Sequence, residues 1–447
     1  MRKIFISFFI IIALLLTIGI FQKKETEVMA SETLFNMDEM LVPFWTGEVS
    51  YNESVLVTEN EKGEIEPITL LYDIEKIISV KSATLLLTYT EGSDYTVEDG
   101  KLIINKSGSI PRLSYDEMHP VTGQAGFEST NGGYVLWKEG AWFHNKQIVV
   151  TYRHKAGYNG YIPEGRGRLL PKTTEKLKNK QDLTVLIYGD SISEGGNSSG
   201  NSSINVSPYM PVYSVMFAKA IEAKYGVNVK LINESKGGMD SNWGLSNLRG
   251  GILNKYPEEK FDLIVIGFGM NDTTKDKDGL ALNVSRIADG FMRYYKDAEA
   301  MIIATMLPNK EAKTFYGNQV EFYDGIIKKE KTGVVAVNVG GVHAGLLERK
   351  AYVDMTGNNV NHANDFLARV YAQTLLKTLE VSDYGKTSET PDDSTGTDTS
   401  GSDTDTASST GGETSVSDKN GCGGAITGIS VISMLSLAVL TVYKKRY

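Results

Sequence analysis

The chain has 447 residues, 41% hydrophobic and 23% charged, with 45 Gly, 11 Pro and one Cys. That make-up excludes collagen-like, coiled-coil and wholly disordered chains, and a lone cysteine excludes a disulfide scaffold. The net charge of −9 is uneven: residues 386–420 carry eight acids against two lysines, residues 31–385 carry −8, and an acidic body without a basic stripe argues against a nucleic-acid partner.

At the N-terminus, Arg2 and Lys3 precede an apolar run from Ile4 to Phe21 and a small-residue site at Val28-Met29-Ala30. This is the pattern of a signal peptide over residues 1–30, cleaved after Ala30, with an uncleaved signal anchor as the alternative. Either reading places the body outside the membrane.

From about Asn36 to Gly165 short apolar runs alternate with turns: Ser82–Thr90, Tyr95–Val97, Lys101–Ile104, Tyr134–His144 around Glu139-Gly140, and Lys146–Tyr152. Asp99-Gly100 between two such runs predicts a tight hairpin. The spacing predicts an all-β sandwich of jelly-roll type over residues 31–170.

From Asp182 strands and helices alternate. Strands are expected at Leu183–Tyr188, Val227–Ile232, Phe261–Phe268, Met301–Met306 and Val334–Val339. Helices are expected at about Pro208–Tyr225, Leu280–Glu299, Glu311–Lys331 and Asn364–Leu379. The alternation predicts an α/β domain over 178–382, a parallel sheet with helices on both faces, whose sites form beyond the carboxyl ends of the strands.

Residues 386–420 are almost entirely Ser, Thr, Asp and Gly, the composition of a solvated stalk. Ala425–Tyr443 is apolar and is followed by Lys444, Lys445 and Arg446. Nineteen residues at about 1.5 Å each span the roughly 30 Å of a bilayer core, so 425–443 is expected to be a transmembrane helix with its cations in the cytoplasm. The Gly421-Cys422-Gly423-Gly424 segment also resembles the C-terminal sorting tails of some bacterial surface proteins, from which such a helix is removed.

The strand ends carry the chemistry. The first runs into Gly189-Asp190-Ser191, where a serine beside glycine can present a nucleophilic hydroxyl. The second ends in Asn233-Glu234-Ser235-Lys236-Gly237-Gly238 and the third in Gly267-Phe268-Gly269-Met270-Asn271-Asp272, each offering donors for a negative oxygen. His362, before the last helix, can act as a general base. Gly196-Asn197-Ser198-Ser199-Gly200 matches a nucleophile-elbow pattern, but no strand leads into it and it reads as a flexible loop beside the site. Gly267-x-Gly269 lacks the third glycine of a dinucleotide loop. His343 competes weakly with His362, while His119, His144 and His154 have no metal-ligand spacing, so neither metal nor organic cofactor is implied.

In this order the four blocks resemble the SGNH or GDSL hydrolase family over roughly residues 178–382. The resemblance implies a three-layer αβα, flavodoxin-like domain and a serine esterase with Ser191 as nucleophile and His362 as its base. It implies an oxyanion hole formed by the backbone N–H groups of Ser191 and Gly238 and the side-chain amide of Asn271. The family usually has an aspartate three residues before the histidine; here that position is Asn359. A backbone carbonyl near Asn359, or Asp354 from another direction, is left to orient the imidazole, or else the enzyme is impaired. SGNH enzymes with an N-terminal β-sandwich resemble carbohydrate esterases. The expected activity is that of an exported, surface-anchored serine esterase removing O-acyl, chiefly O-acetyl, groups from carbohydrate. A lipase or thioesterase of the same family and an impaired glycan-binding surface protein are the alternatives. Trp137, Trp142 and Phe143 read either as sugar platforms or as core, and Trp243 as pocket lining or helix packing.

Overall fold

The computed structural model describes residues 34–123 and 126–381. The expected signal peptide, stalk and membrane helix lie outside the described residues. Among the described residues no helix is long and apolar enough to cross a membrane.

The first part of the chain is β-rich. Its strands are β1 (Val49–Val55), β2 (Lys76–Ser82), β3 (Thr88–Tyr89), β4 (Tyr95–Glu98), β5 (Lys101–Ile104), β6 (Gly126–Glu128), β7 (Tyr134–Leu136) and β8 (Ile148–Arg153). They form a four-stranded antiparallel sheet in the order β1-β8-β2-β3 and two hairpins, β4-β5 and β6-β7. Asp99 and Gly100 both take positive φ, 48° and 74°, as a two-residue hairpin turn requires. The expected strand Ser82–Thr90 is instead broken: Leu85 sits at φ 60° and turns the chain, exposing Leu86 and Leu87. The expected strand from Tyr134 to His144 also stops early, at Leu136, and the segment after it turns through Glu139-Gly140 with Gly140 at φ 80°.

The second part is a five-stranded parallel sheet of β9 (Leu183–Gly189), β10 (Val229–Asn233), β11 (Leu263–Gly267), β12 (Glu299–Ala304) and β13 (Val334–Asn338), in the order β10-β9-β11-β12-β13. Period-two alternation divides its side chains between two layers. Leu183, Val185, Ile187, Val265 and Ile303 pack under helices Tyr213–Tyr225 and Asp365–Leu379. Leu186, Tyr188, Ile264, Ile266 and Ile302 pack against helix Lys277–Tyr294 on the other face. The result is the expected three-layer αβα arrangement. Strand order reverses between β9 and β11, which puts the crevice at their carboxyl ends.

Two helical readings change. The segment expected as a helix over Glu311–Lys331 is helical in its second half alone, as a 3-10 turn, Asn318–Glu321, a short helix, Phe322–Ile326, and a second 3-10 turn, Ile327–Lys329. Residues before it pair with β6 and its turn instead: Lys313 N–H donates to Glu128 O at 3.0 Å and Thr130 N–H to Glu311 O at 2.9 Å. A helix not anticipated, Val339–Leu347, starts directly after β13, its N-terminus capped by the Asn338 side chain on Gly341 N–H at 2.8 Å.

Both parts share one core. Val55, Leu70, Ile148 and Tyr152 of the β part lie in the same apolar cluster as Phe366, Val370 and Leu375 of the last helix. A buried ion pair crosses the same joint, with Lys350 Nζ 2.6 Å from Glu53 Oε1 and both side chains fully buried. Glu53 also accepts from Leu71 N–H and the Tyr152 hydroxyl, each at 2.8 Å, and Lys350 donates to Ser54 O at 3.0 Å. Removing one member of such a pair strands the other's charge in a dry interior. Lys350→Met is therefore expected to lower the unfolding free energy by about 3–5 kcal/mol, while Glu53→Gln with Lys350→Met recovers part of it. Urea denaturation measures this, and a single-mutant loss below about 1 kcal/mol would refute the assignment.

Candidate active site

Ser191 is the first residue of a short helical turn, Ser191–Glu194, directly after β9. Asp190 caps that turn, its Oδ1 accepting from Ile192 N–H at 3.0 Å. Burial pushes the Asp190 carboxyl up to about 7, against the pull of that hydrogen bond, and its Oδ2 has no hydrogen-bond partner among the described residues. Being first in the turn, Ser191 has a backbone N–H with no acceptor four residues back.

His362 arrives from the far end of the chain on a loop braced by its own side chains. The Asn358 Oδ1 accepts from the backbone N–H groups of Val360, Asn361 and His362 at 3.0, 3.0 and 3.1 Å, and Thr356 Oγ1 donates to His362 O at 2.8 Å. The imidazole Nε2 lies 2.8 Å from Ser191 Oγ.

The other ring nitrogen settles which way the proton lies. His362 Nδ1 is 2.6 Å from Asn197 Oδ1. The Asn197 amide cannot be turned over, because its Nδ2 faces two carbonyls, Gly140 O at 3.0 Å and Gly357 O at 3.3 Å. An amide oxygen only accepts, so Nδ1 carries the hydrogen and Nε2 is left with a lone pair aimed at Ser191 Oγ. Two glycines make room for this clamp. A Cβ at Gly357 would stand 2.4 Å from Asn197 Cβ, and one at Gly196 would stand 3.1 Å from the imidazole.

Neither expected orienter of the ring does this work. Asn359 is buried at φ 67° and its amide donates away from the site, to Leu136 O at 3.0 Å. Its carbonyl is taken by Asn309 Nδ2 at 2.9 Å, so the nearby backbone carbonyl is occupied too. Asp354 is buried in the joint between the two parts, where Oδ1 accepts from Leu56 N–H at 2.9 Å. Asn197 replaces both. It comes from the segment read as a flexible loop, which is pinned: Ser199 N–H donates to Asp365 Oδ1 and Met210 N–H to Ser199 Oγ, each at 2.8 Å, and Ser198 and Ser199 are buried.

A carboxylate also stands near the ring. Glu139 Oε2 is 3.6 Å from His362 Nδ1, while Oε1 accepts from Asn358 Nδ2 at 2.9 Å and Trp137 Nε1 at 3.1 Å. Burial favours its neutral form, but the contacts to His362, Asn358 and Trp137 outweigh it and hold the acid below the usual glutamate range. Among sequence signals only the Glu139-Gly140 turn pointed here, and it was legible as a turn, not as part of a site.

The two glycine- and amide-bearing strand ends lie near Ser191. Loop 234–238 is tied beside Ser191, Lys236 N–H donating to Gly189 O at 3.0 Å and Asn233 Nδ2 to Ser193 O at 2.7 Å. Gly237 N–H is engaged by Glu194 Oε2 at 2.8 Å, which leaves Gly238, at φ 75°, as the loop's donor without a partner among the described residues. Asn271 Nδ2 uses one hydrogen on Met239 O at 3.0 Å, bringing the amide alongside Gly238 with a second hydrogen to give. Asp272 turns inward, accepting from Ser241 N–H and Oγ. His343 is fully buried, accepts from Leu307 N–H at 3.1 Å, and is pushed down to about 3 by burial, so it is no rival base at this site.

Of the aromatic candidates, Phe143 is core and Trp142 packs beside it. Trp243 packs on Tyr188 and Phe268, with Lys236 over its ring. Trp137 is part of a half-buried row near His362, edge-on to Phe127, which in turn meets Phe315.

No curated protein matches the chain in sequence. Solved structures similar to part of it include a two-domain esterase active on acetylated mannans, co-crystallised with mannopentaose (17% identity, TM-score 0.36, 49% of this chain and 54% of that one). They also include an acetylxylan esterase from Geobacillus stearothermophilus (13%, 0.36, 45% and 95%) and an α/β hydrolase from the metagenome of Lake Arreo, Spain (15%, 0.36, 44% and 94%). The match thus spans about half the length of the two-domain esterase. Residues 185–394 match the model of the GDSL-like lipase/acylhydrolase family, and they contain Ser191, Gly238, Asn271 and His362. The chain therefore carries a region that matches the GDSL-like lipase/acylhydrolase family over a little under half of its length.

Proposed function

We propose that the protein hydrolyses O-acyl, chiefly O-acetyl, esters on carbohydrate through an acyl-enzyme on Ser191. The observation that carries this reading is the hydrogen-bonded run from Ser191 Oγ to His362 to the locked amide of Asn197. Ser191 Oγ attacks the ester carbonyl as its proton passes to His362 Nε2. The carbonyl oxygen becomes an oxyanion held by the N–H groups of Ser191 and Gly238 and by Asn271 Nδ2. Collapse of the tetrahedral species breaks the bond to the sugar oxygen, which takes the proton from Nε2 and leaves as a hydroxyl. Water then repeats the sequence on the acyl-enzyme, releasing the acid and restoring Ser191. Whenever the ring is neutral, Asn197 keeps it in the tautomer that accepts at Nε2.

The surroundings favour a sugar over a long acyl chain. The groups around Ser191 are amides, carboxylates and glycine backbone, and the half-buried row of Trp137, Phe127 and Phe315 joins them through Glu139, which Trp137 Nε1 holds. Flat, partly wet aromatic surface beside polar groups suits a ring carrying both C–H faces and hydroxyls. Export through residues 1–30 and attachment through residues 425–443 rest on the sequence pattern, and place the substrate at the cell surface.

Ser191→Ala is expected to lower turnover of p-nitrophenyl acetate by about 10³-fold or more, and the wild type to prefer the acetyl over the octanoyl ester. Folded protein whose acetyl esterase activity survives Ser191→Ala would sink the assignment. Loss of the amide clamp is a separate matter: Asn197→Ala is expected to cost about 10²- to 10⁴-fold in kcat with little change in KM, since the ring can then present the wrong tautomer. Activity within twofold of wild type would remove Asn197 from the mechanism.

A further inference from the structure

An imidazole that takes a proton in the transition state becomes a cation, and Asn197 offers it a dipole but no charge. The charge stands elsewhere. Glu139 Oε2 is 3.6 Å from His362 Nδ1, on the side where Asn197 Oδ1 already holds the Nδ1 hydrogen. The carboxylate is not free to wander, because Trp137 Nε1 and Asn358 Nδ2 both hold its other oxygen. The turn that carries it does a second job, since Gly140 O is one of the two carbonyls that fix the Asn197 amide. One β-hairpin exit therefore reaches the ring twice, once through a neutral relay and once by charge.

We propose that Glu139, from the β part of the chain, is the acidic member of this site: a positioning residue that stabilises the protonated form of His362 from 3.6 Å away, beside Asn197. The proposal rests on the Ser191–His362 reading and adds to it that the β part belongs to the reaction machinery. It also accounts for Asn359, because the charge usually supplied three residues before the histidine arrives from another direction.

The other groups that bear on the ring are few. From the nucleophile turn there are Asp190, buried beneath Ser191, and Glu194, engaged with Gly237 N–H. The segment 356–364 that carries His362 holds no other titratable side chain, and the following Asp365 binds Ser199 N–H. Glu139→Gln keeps a side-chain oxygen for Trp137 and Asn358 while deleting the charge, and leaves Asp190 and Glu194 in place.

The test is an NMR titration of the imidazole resonances in the purified protein. The chain has five histidines, and His362→Gln identifies the one in question. In Glu139→Gln the His362 titration is expected to move to lower pH, the acid limb of the kcat/KM profile to move with it, and the plateau to drop about tenfold. Glu139→Asp, which keeps the charge but draws it back, is expected to give a smaller shift of the same sign. An unchanged His362 pKa in folded Glu139→Gln overturns the proposal, even where Ser191-dependent turnover stands. Absence of Ser191-dependent turnover in the wild type would overturn the esterase reading instead, and the titration would still decide whether Glu139 and His362 are coupled.

Discussion

A histidine can serve a serine only if its proton is on the far nitrogen, and here a single carboxamide enforces that choice. Asn197 is held by two carbonyls, Gly140 O and Gly357 O, so its oxygen has only one place to go, toward His362 Nδ1. Those carbonyls come from segments far apart in sequence, one from the β-rich part and one from the loop that delivers the histidine itself. The amide is therefore correct only when both are in position. The reactive geometry at the end of β9 depends on the assembled molecule as much as on the parallel sheet that carries Ser191.

This dependence explains why so much polar material lies where the two parts meet. Glu53, Lys350, Asp354, Gln147 and Asn364 are buried there, and each has partners: Gln147 Nε2 donates to Val353 O and Thr356 O at 3.0 and 2.9 Å, and Asn364 Nδ2 to Gln147 Oε1 at 3.1 Å. An apolar joint of the same area can slide, since hydrophobic attraction has no direction. A network of satisfied hydrogen bonds admits few registers, and the register fixes the loop from Thr356 to His362. Arg369 adds to this from the last helix, donating to Tyr51 O and Asn52 O at 2.9 and 2.8 Å.

The parallel sheet and the residues at its strand ends were legible because both depend on local pattern. Apolar runs of strand length mark β9, β11 and β12, and each motif lies within a few residues of the strand that carries it. Glycine marks the loop after β10 for a local reason too, the positive φ of Gly238. What escaped was whatever depends on contact between distant segments. Asn197 reads as part of a solvated loop until Asp365 is seen to hold Ser199, 166 residues away. Glu139 reads as an ordinary hairpin turn until the fold brings it to His362. The lost first half of the helix expected over Glu311–Lys331 has the same origin, for Glu311, Ala312 and Lys313 pair with β6 and the turn after it. Position 359 misled for the opposite reason: its spacing from the histidine is local, but its side chain had been recruited elsewhere.

That recruitment has a bearing on any attempt to improve the enzyme by reverting it toward its relatives. Asn359 lies at φ 67° with 1% of its surface exposed, and its amide nitrogen donates to Leu136 O. Aspartate is what a consensus would install there, yet a carboxylate has no hydrogen to offer Leu136 and would set negative charge against a carbonyl oxygen in a dry pocket. The substitution that looks like a repair would instead pry the β-rich part away from the loop it steadies. In this chain the residue usual for the family is the damaging one, because position 359 serves as a tether to Leu136.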